Sequence, residues 1–182
     1  MASFQKTFKK IYSADATGTT AIVVDNILES GKLYFIVGYN WEYDTTANHL
    51  LFYLRNANAD LTAAYMYQSQ VIQHGQGNII FQNSNSASSG GTIGYCGDQP
   101  EESLGFKLTI NNRGVEGYTD YYTDAIGHVN GTGYRGQKES GYVQSHRRFN
   151  GFAIRTSTGG NFASGNIDIY RLETTEYNLW VV

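Results

Sequence analysis

Between Leu104 and Asn111 the chain alternates strictly: Leu104, Phe106, Leu108 and Ile110 are apolar, and Gly105, Lys107, Thr109 and Asn111 separate them. Successive side chains of a strand point to opposite faces, so this stretch can cover a core with one face and meet water with the other. The same period recurs along the chain. Leu33, Phe35, Val37 and Tyr39 alternate with Tyr34, Ile36 and Gly38, and both sets are largely apolar. That pattern predicts a central strand buried on both faces. Leu50, Phe52 and Leu54 share one face of another strand, and Leu61, Ala63, Tyr65 and Tyr67 of a third. Turn residues stand between the segments, at Glu29–Lys32, Asn56–Asp60, Asn111–Gly114 and Asn130–Gly133. Long helical patterns never alternate with the strands, which argues against a parallel α/β sheet. The spacing predicts an all-β, antiparallel β-sandwich of about eight to ten strands. No internal repeat marks a propeller or solenoid.

Composition supports this reading. The chain has 182 residues, with 21 Gly, 15 Tyr and a single Pro, and 16% of residues are charged. That is one domain's worth of chain, rich in turn and strand formers. The formal charge of -3 gives no electrostatic case for nucleic-acid binding. A lone cysteine, Cys96, excludes an internal disulfide framework. No run of apolar residues approaches a membrane span or the core of a signal peptide, so the expectation is synthesis in a cytoplasm with no membrane insertion.

Three regions divide the chain by pattern: a leading segment at 1–18, the sandwich at 19–172, and an apolar tail at 173–182. Phe4, Phe8, Ile11 and Tyr12 have the spacing of a short amphipathic helix. Two roles fit it: a cap on the core, which is the simpler, or a docking arm in which Lys6, Lys9 and Lys10 meet an acidic partner. Asn83–Gly91 reads as a polar loop beside the apolar island Ile79-Ile80-Phe81. Near the far end, Phe152-Ala153-Ile154 and Ile167-Asp168-Ile169-Tyr170 flank a Gly- and Asn-rich loop. These two runs read as a hairpin whose tip carries one ring, Phe162, back into the core.

Signs of catalysis are weak. His49, His74, His128 and His146 have no second His or Cys at metal-ligand spacing, and no cofactor fingerprint is present. Ser145 and His146 are neighbours, which on a strand sends them to opposite faces. Asp120, Asp124 and Glu116 form an acidic group beside tyrosines, and read first as a solvated strand face. Gly131-Thr132-Gly133-Tyr134-Arg135-Gly136 matches a dinucleotide motif by letters alone, because no helix pattern follows it. The aromatic residues carry more information. Trp41 and Tyr43 flank Glu42 in a stretch read as a loop, and Tyr118, Tyr121, Tyr122 and Tyr134 crowd a second region. Rings among Asn, Asp and Gln suit either a sugar, whose apolar face packs on them, or a subunit interface, where Tyr and Trp are enriched.

In the order of its segments the chain resembles small jelly-roll domains of tailed-bacteriophage virion proteins, found as head decoration proteins and at tail-fibre tips. The resemblance runs from about Thr19 to Leu172. It rests on Ala-Ile-Val-Val-Asp-Asn-Ile, then Lys-Leu-Tyr-Phe-Ile-Val, Phe-Tyr-Leu-Arg and Ala-Ala-Tyr-Met-Tyr, and most of all on Ala-Ser-Gly-Asn-Ile-Asp-Ile-Tyr at Ala163–Tyr170. The chain departs from that pattern in its last ten residues and in having Asn111-Asn112 where an Asn-Pro turn is expected. The resemblance implies a jelly roll and a non-enzymatic virion component, commonly a homotrimer, made in the host cytoplasm and bound to capsid or tail proteins. Strand patterning begins by about residue 20, which leaves no room for a fibre shaft and favours a head decoration or tail accessory subunit over a complete fibre. Phe4, Phe8, Tyr177, Leu179 and Trp180 are the candidate assembly contacts. A carbohydrate or receptor-binding domain is the alternative, with host surface glycan as its ligand. A small glycan-cleaving enzyme using Asp120, Asp124 or Glu116 ranks third.

Overall fold

The alternation becomes strand along nearly the whole of the computed structural model, which describes residues 2–44, 48–73, 79–87, 90–99, 102–129 and 133–178. Among these residues there are thirteen strands: β1 Ala2–Asp15, β2 Ala21–Val24, β3 Lys32–Tyr43, β4 Asn48–Asn56, β5 Ala59–Asp60, β6 Tyr65–Gln73, β7 Ile79–Ala87, β8 Gly91–Cys96, β9 Leu104–Asn112, β10 Thr119–Val129, β11 Gly133–Val143, β12 Gly151–Thr156 and β13 Phe162–Asn178. They form two sheets. The larger runs β1-β13-β3-β9-β10-β11-β6-β7, and the smaller runs β2-β12-β4-β5 with β8 also on β4. All strand pairs are antiparallel.

Eight of the strands wind as a jelly roll. Counted as β2, β3, β4, β6, β7, β8, β9 and β12, they place the first, eighth, third and sixth in the small sheet. The second, seventh, fourth and fifth lie in the large one. The β10–β11 hairpin is inserted between β9 and β6, and the β13–β1 pair is added outside β3, which widens the large sheet to eight strands. The chain is thus the all-β sandwich that the pattern predicts, of the jelly-roll type that the resemblance implies, with more strands.

Five local expectations are corrected. The segment Phe4–Tyr12 is strand, not helix: β1 pairs with β13 from Ala2↔Asn178 to Asp15↔Asn166, and this ladder outweighs a helical spacing of four apolar residues. Residues 83–87 belong to β7, paired with β6, and not to a loop. β3 is buried on one face only, through Tyr34, Ile36 and Gly38, while Leu33, Phe35 and Val37 are half-buried. The two runs around Phe162 do not form a hairpin: β12 pairs with β2 and β4, and β13 with β1 and β3, so the link crosses from one sheet to the other. Trp41 and Tyr43 lie on β3 and not in a loop.

The aromatic end of the core explains that last correction. Counting from Gly38, strict alternation sends Asn40 inward and Trp41 outward. A bulge intervenes: the register with β9 shifts between Gly38 and Trp41, and Asn40 takes a left-handed φ of 57°. Trp41 and Tyr43 are therefore turned into the core, where both are buried. The indole donates from Nε1 to the Asn166 carbonyl at 3.0 Å. Phe162, also fully buried, packs edge-on against Trp41 at 4.7 Å and is stacked with Tyr43 at 5.5 Å. Gly165 has φ +154°, and a Cβ there would meet Trp41 Cδ2 at 2.8 Å, so glycine is required where β13 passes the indole. Phe152, Ile154, Ile167 and Ile169 close the same core from the two sheets.

On the small sheet, Arg55 is only 6% exposed. It donates from Nε to Asp25 Oδ1 at 2.7 Å and from Nη2 to the Asn58 carbonyl at 2.6 Å, and it also pairs with Asp60. Arg155 reaches Asp60 from β12 at 2.7 Å. The hairpin beneath this network turns on Ala57 and Asn58, with φ of 49° and 66°.

Candidate binding face

The outer face of the large sheet follows from alternation and register. On β10, Asp120, Tyr122, Asp124 and Ile126 point outward, and Thr119, Tyr121, Thr123 and Ala125 inward. Three cross-strand rows result. Asn111, Asp120, Tyr142 and Met66 form one, Thr109, Tyr122, Ser140 and Gln68 the next, and Lys107, Asp124, Lys138 and Gln70 the third. Side chains within such a row lie in contact range.

Two adjoining depressions open on this face. One, of about 540 Å³, is lined by residues that include Met66, Gln68, Asp120, Ser140 and Tyr142. The other, of about 500 Å³, includes Gln68, Gln70, Phe81, Tyr122, Lys138 and Ser140. Gln68 and Ser140 border both, so the two form one trough along β11. The carboxylates beside it are each matched by a cation: Arg113 meets Asp120 at 2.7 Å and Lys138 lies 3.9 Å from Asp124. Asn111 also donates to Asp120 at 3.3 Å.

The predicted aromatic contacts divide between surface and core. Tyr122 and Tyr134 are exposed on the outer face, Tyr134 packing edge-on against His128. Tyr118 is half-buried, stacked on Tyr142 at 5.3 Å and touching His146 at 5.0 Å. Trp41 and Tyr43 are corrected: both are buried in the core, away from the surface. Tyr121 is also turned inward, 4% exposed, and reaches the first depression only from beneath. Tyr121 and Tyr122 are adjacent on one strand, and alternation alone requires one of them to point inward. Tyr142, Gln68 and Ser140 escaped the sequence reading. What brings Tyr142 to Asp120 is the β10–β11 register, which residue types do not reveal.

Beneath the face lies a buried polar group. Glu139 is 1% exposed and accepts from the Thr92 amide and the Tyr121 hydroxyl, both at 2.9 Å. Burial pushes its carboxyl up to about 7, and burial with the adjacent Glu139 pushes Tyr121 up as well. The Cys96 thiol, also raised by burial, donates to the Trp41 carbonyl and is enclosed. Asp120 and Asp124 share the outer face, while the Glu116 side chain and His74 lie outside the described residues. Among the described residues no three His, Cys, Asp or Glu side chains gather as a metal site would need.

The candidate assembly contacts lie at the other end of the sheet. Phe8 is half exposed and packs on Phe35 at 5.8 Å. The backbones of Phe4 and Tyr177 pair with Glu176 and Ser3, while Leu179 and Trp180 lie outside the described residues, as do 130–132 of the predicted Asn130–Gly133 turn. β13 pairs with β3 only as far as Arg171↔Tyr34, yet continues with β1 to Asn178. The segment 173–178, set apart as tail by its pattern, is thus strand, and with Ala2–Thr7 it forms a two-stranded ribbon beyond the sheet. Compared with models of protein families and with curated proteins, the chain matches none.

Proposed function

We propose that the protein is a non-enzymatic structural subunit of a phage virion, a homo-oligomer, most simply a trimer, set on the head or tail surface. The observation that carries this reading is the ribbon of Ala2–Thr7 and 173–178. Two strands alone are marginally stable in water and need a third strand or a packing surface. No third strand of the described chain pairs with them, so a neighbouring subunit or a capsid or tail protein is the natural cover. The apolar edge strand β7 supports the same reading: Ile79, Ile80 and Phe81 are consecutive, so they face both sides, and all are exposed, Phe81 by 73%. Edge strands of this kind invite pairing unless something covers them.

The test is the mass in solution of the full chain and of a chain lacking 1–7 and 173–182, by light scattering. The reading expects an oligomer for the first and a folded monomer for the second. A monomeric full chain at micromolar concentration overturns it. Capsid, portal or tail genes beside this one would support the virion assignment, and a polysaccharide or secretion cluster would oppose it.

A further inference from the structure

We infer that the trough along β11, on the outer face of the large sheet, is a binding site for a neutral oligosaccharide. This goes beyond the assembly reading: the ribbon that carries that reading lies at the opposite end of the sheet, and only Phe81 of β7 borders both the trough and the exposed edge.

The first argument is the pairing of rings. Tyr122 and Tyr142 are 40% and 36% exposed, and each lines one of the two depressions. They sit diagonally, since Tyr122 pairs with Ser140 and Tyr142 is two residues further along β11. Such neighbours are about 7 Å apart, within reach of one extended ligand. Tyr142 is backed by Tyr118 in a nearly parallel stack of 11° interplanar angle, and Tyr118 rests in turn on His146. The ring is therefore held in place before any ligand arrives, which lowers the entropic cost of binding. A rigid tyrosine offers a flat apolar surface with a polar tip, suited to the C–H face and hydroxyl rim of a pyranose.

The second argument is the floor. Ser140 lies between the two depressions, small enough to leave them continuous. Neither it nor Gln68 or Gln70 makes a side-chain hydrogen bond within the described residues, so their donors and acceptors are free to meet ligand hydroxyls. From Lys138 to Tyr142 the strand advances about 14 Å, enough for a chain of sugar rings rather than a single one.

The third argument is charge. Asp120 faces Arg113 and Asp124 faces Lys138, all four more than 40% exposed. The exposed charges that line the two depressions are Asp120 and Lys138, one of each sign and each paired, while Lys107, in the row of Asp124, lies outside them, so the trough has no excess of either sign with which to attract an anionic or cationic ligand. Rings with unpaired amide and hydroxyl groups and balanced charge suit a neutral polyhydroxylated chain. A hydrophobic peptide would leave those polar groups uncompensated.

The experiment is retention of the full chain on an array printed with short oligomers of neutral hexoses, of N-acetylhexosamines and of sialylated sugars. Affinity for retained neutral oligomers is then measured for Tyr122→Ala, Tyr142→Ala and, as a control on the exposed face of the small sheet, Val23→Ala. Urea unfolding midpoints and solution masses are recorded for each variant. The inference expects a neutral oligomer to be retained, weakened about tenfold or more by either tyrosine substitution and unchanged by Val23→Ala, with midpoints and masses kept. Should a tyrosine variant unfold, Ser140→Trp, which fills the trough from its floor, must abolish retention in its place. The inference is overturned if no neutral oligomer is retained or if only sialylated sugars are. It is equally overturned if retention survives the substitutions, or if they change the oligomeric mass instead, which would make the face a contact between copies.

Discussion

The hydroxyl of Tyr121 donates a 2.9 Å hydrogen bond to Oε1 of Glu139 between the two sheets. Tyr121 is 4% exposed and its ring packs edge-on against Phe52 at 4.7 Å, so an ionisable pair is enclosed by the hydrophobic core. Glu139 Oε2 finds no partner there, and neither does Oε1 of Gln137, its neighbour on the inward face of β11. A neutral Glu139 carboxyl has a proton to offer such an acceptor, and an ionised one has only charge to be left unsolvated.

A pH dependence follows. The folded-state value for Glu139 is about 7, above the ordinary 4.5, so the unfolded chain releases this proton first. Its contribution to stability is full below about pH 4.5 and is lost as the pH rises to about 7. The loss amounts to about 3 kcal/mol. Glu139→Gln removes it: relative to the parent chain, the variant should gain about 3 kcal/mol between pH 4.5 and pH 8 in urea unfolding. Parallel stability profiles for the two proteins would show that Glu139 ionises freely.

Phe162 fills the space between Trp41 and Tyr43. Phe162→Ala should destabilise the fold by about 4 kcal/mol, as truncation of an enclosed phenylalanine does. Calorimetry or urea unfolding measures it, and a change within error would mean that the ring is not part of the core.

Arg55→Ala leaves Asp25 and Asp60 without their central cation. The expected loss is about 3 kcal/mol, the low end for a broken buried pair, because both aspartates keep some contact with water. A double substitution of Arg55 and Asp25 that costs no less than the sum of the two singles would contradict the pairing.

Ala57 stands in a left-handed conformation that costs a residue with a Cβ about 1 kcal/mol or more. Ala57→Gly should therefore stabilise the chain slightly, by about 0.5 kcal/mol after the greater freedom of glycine in the unfolded state. Ala59→Gly, two residues on in β5, should do the opposite. Equal signs for the two would place the turn elsewhere.

Alternation made most of the sandwich legible before any coordinates. Leu104–Ile110 and Phe152–Ile154 turn the faces that their patterns require. What failed did so for physical reasons. Trp41 is inward because Asn40 absorbs an extra residue in β3, and nothing in residue type marks a bulge at an asparagine. The first strand carries a helical spacing of apolar residues, and the ladder that overrides it comes from β13, far along the chain, where no local signal in β1 points. The binding face was half legible: Tyr122 was visible, but the meeting of Tyr142 with Asp120, and of Ser140 with Gln68, depends on a register fixed only when β10, β11 and β6 pair.

The pairing of Ala2 with Asn178 also bears on how the molecule is made. The first strand has its ladder partner only after every other described strand has been synthesised, so its backbone waits while the sandwich assembles. Closing so long a loop makes contact order high and folding slow. During that interval the edge of β3 that β13 will cover stands open, and the nascent chain is most exposed to pairing with a neighbour.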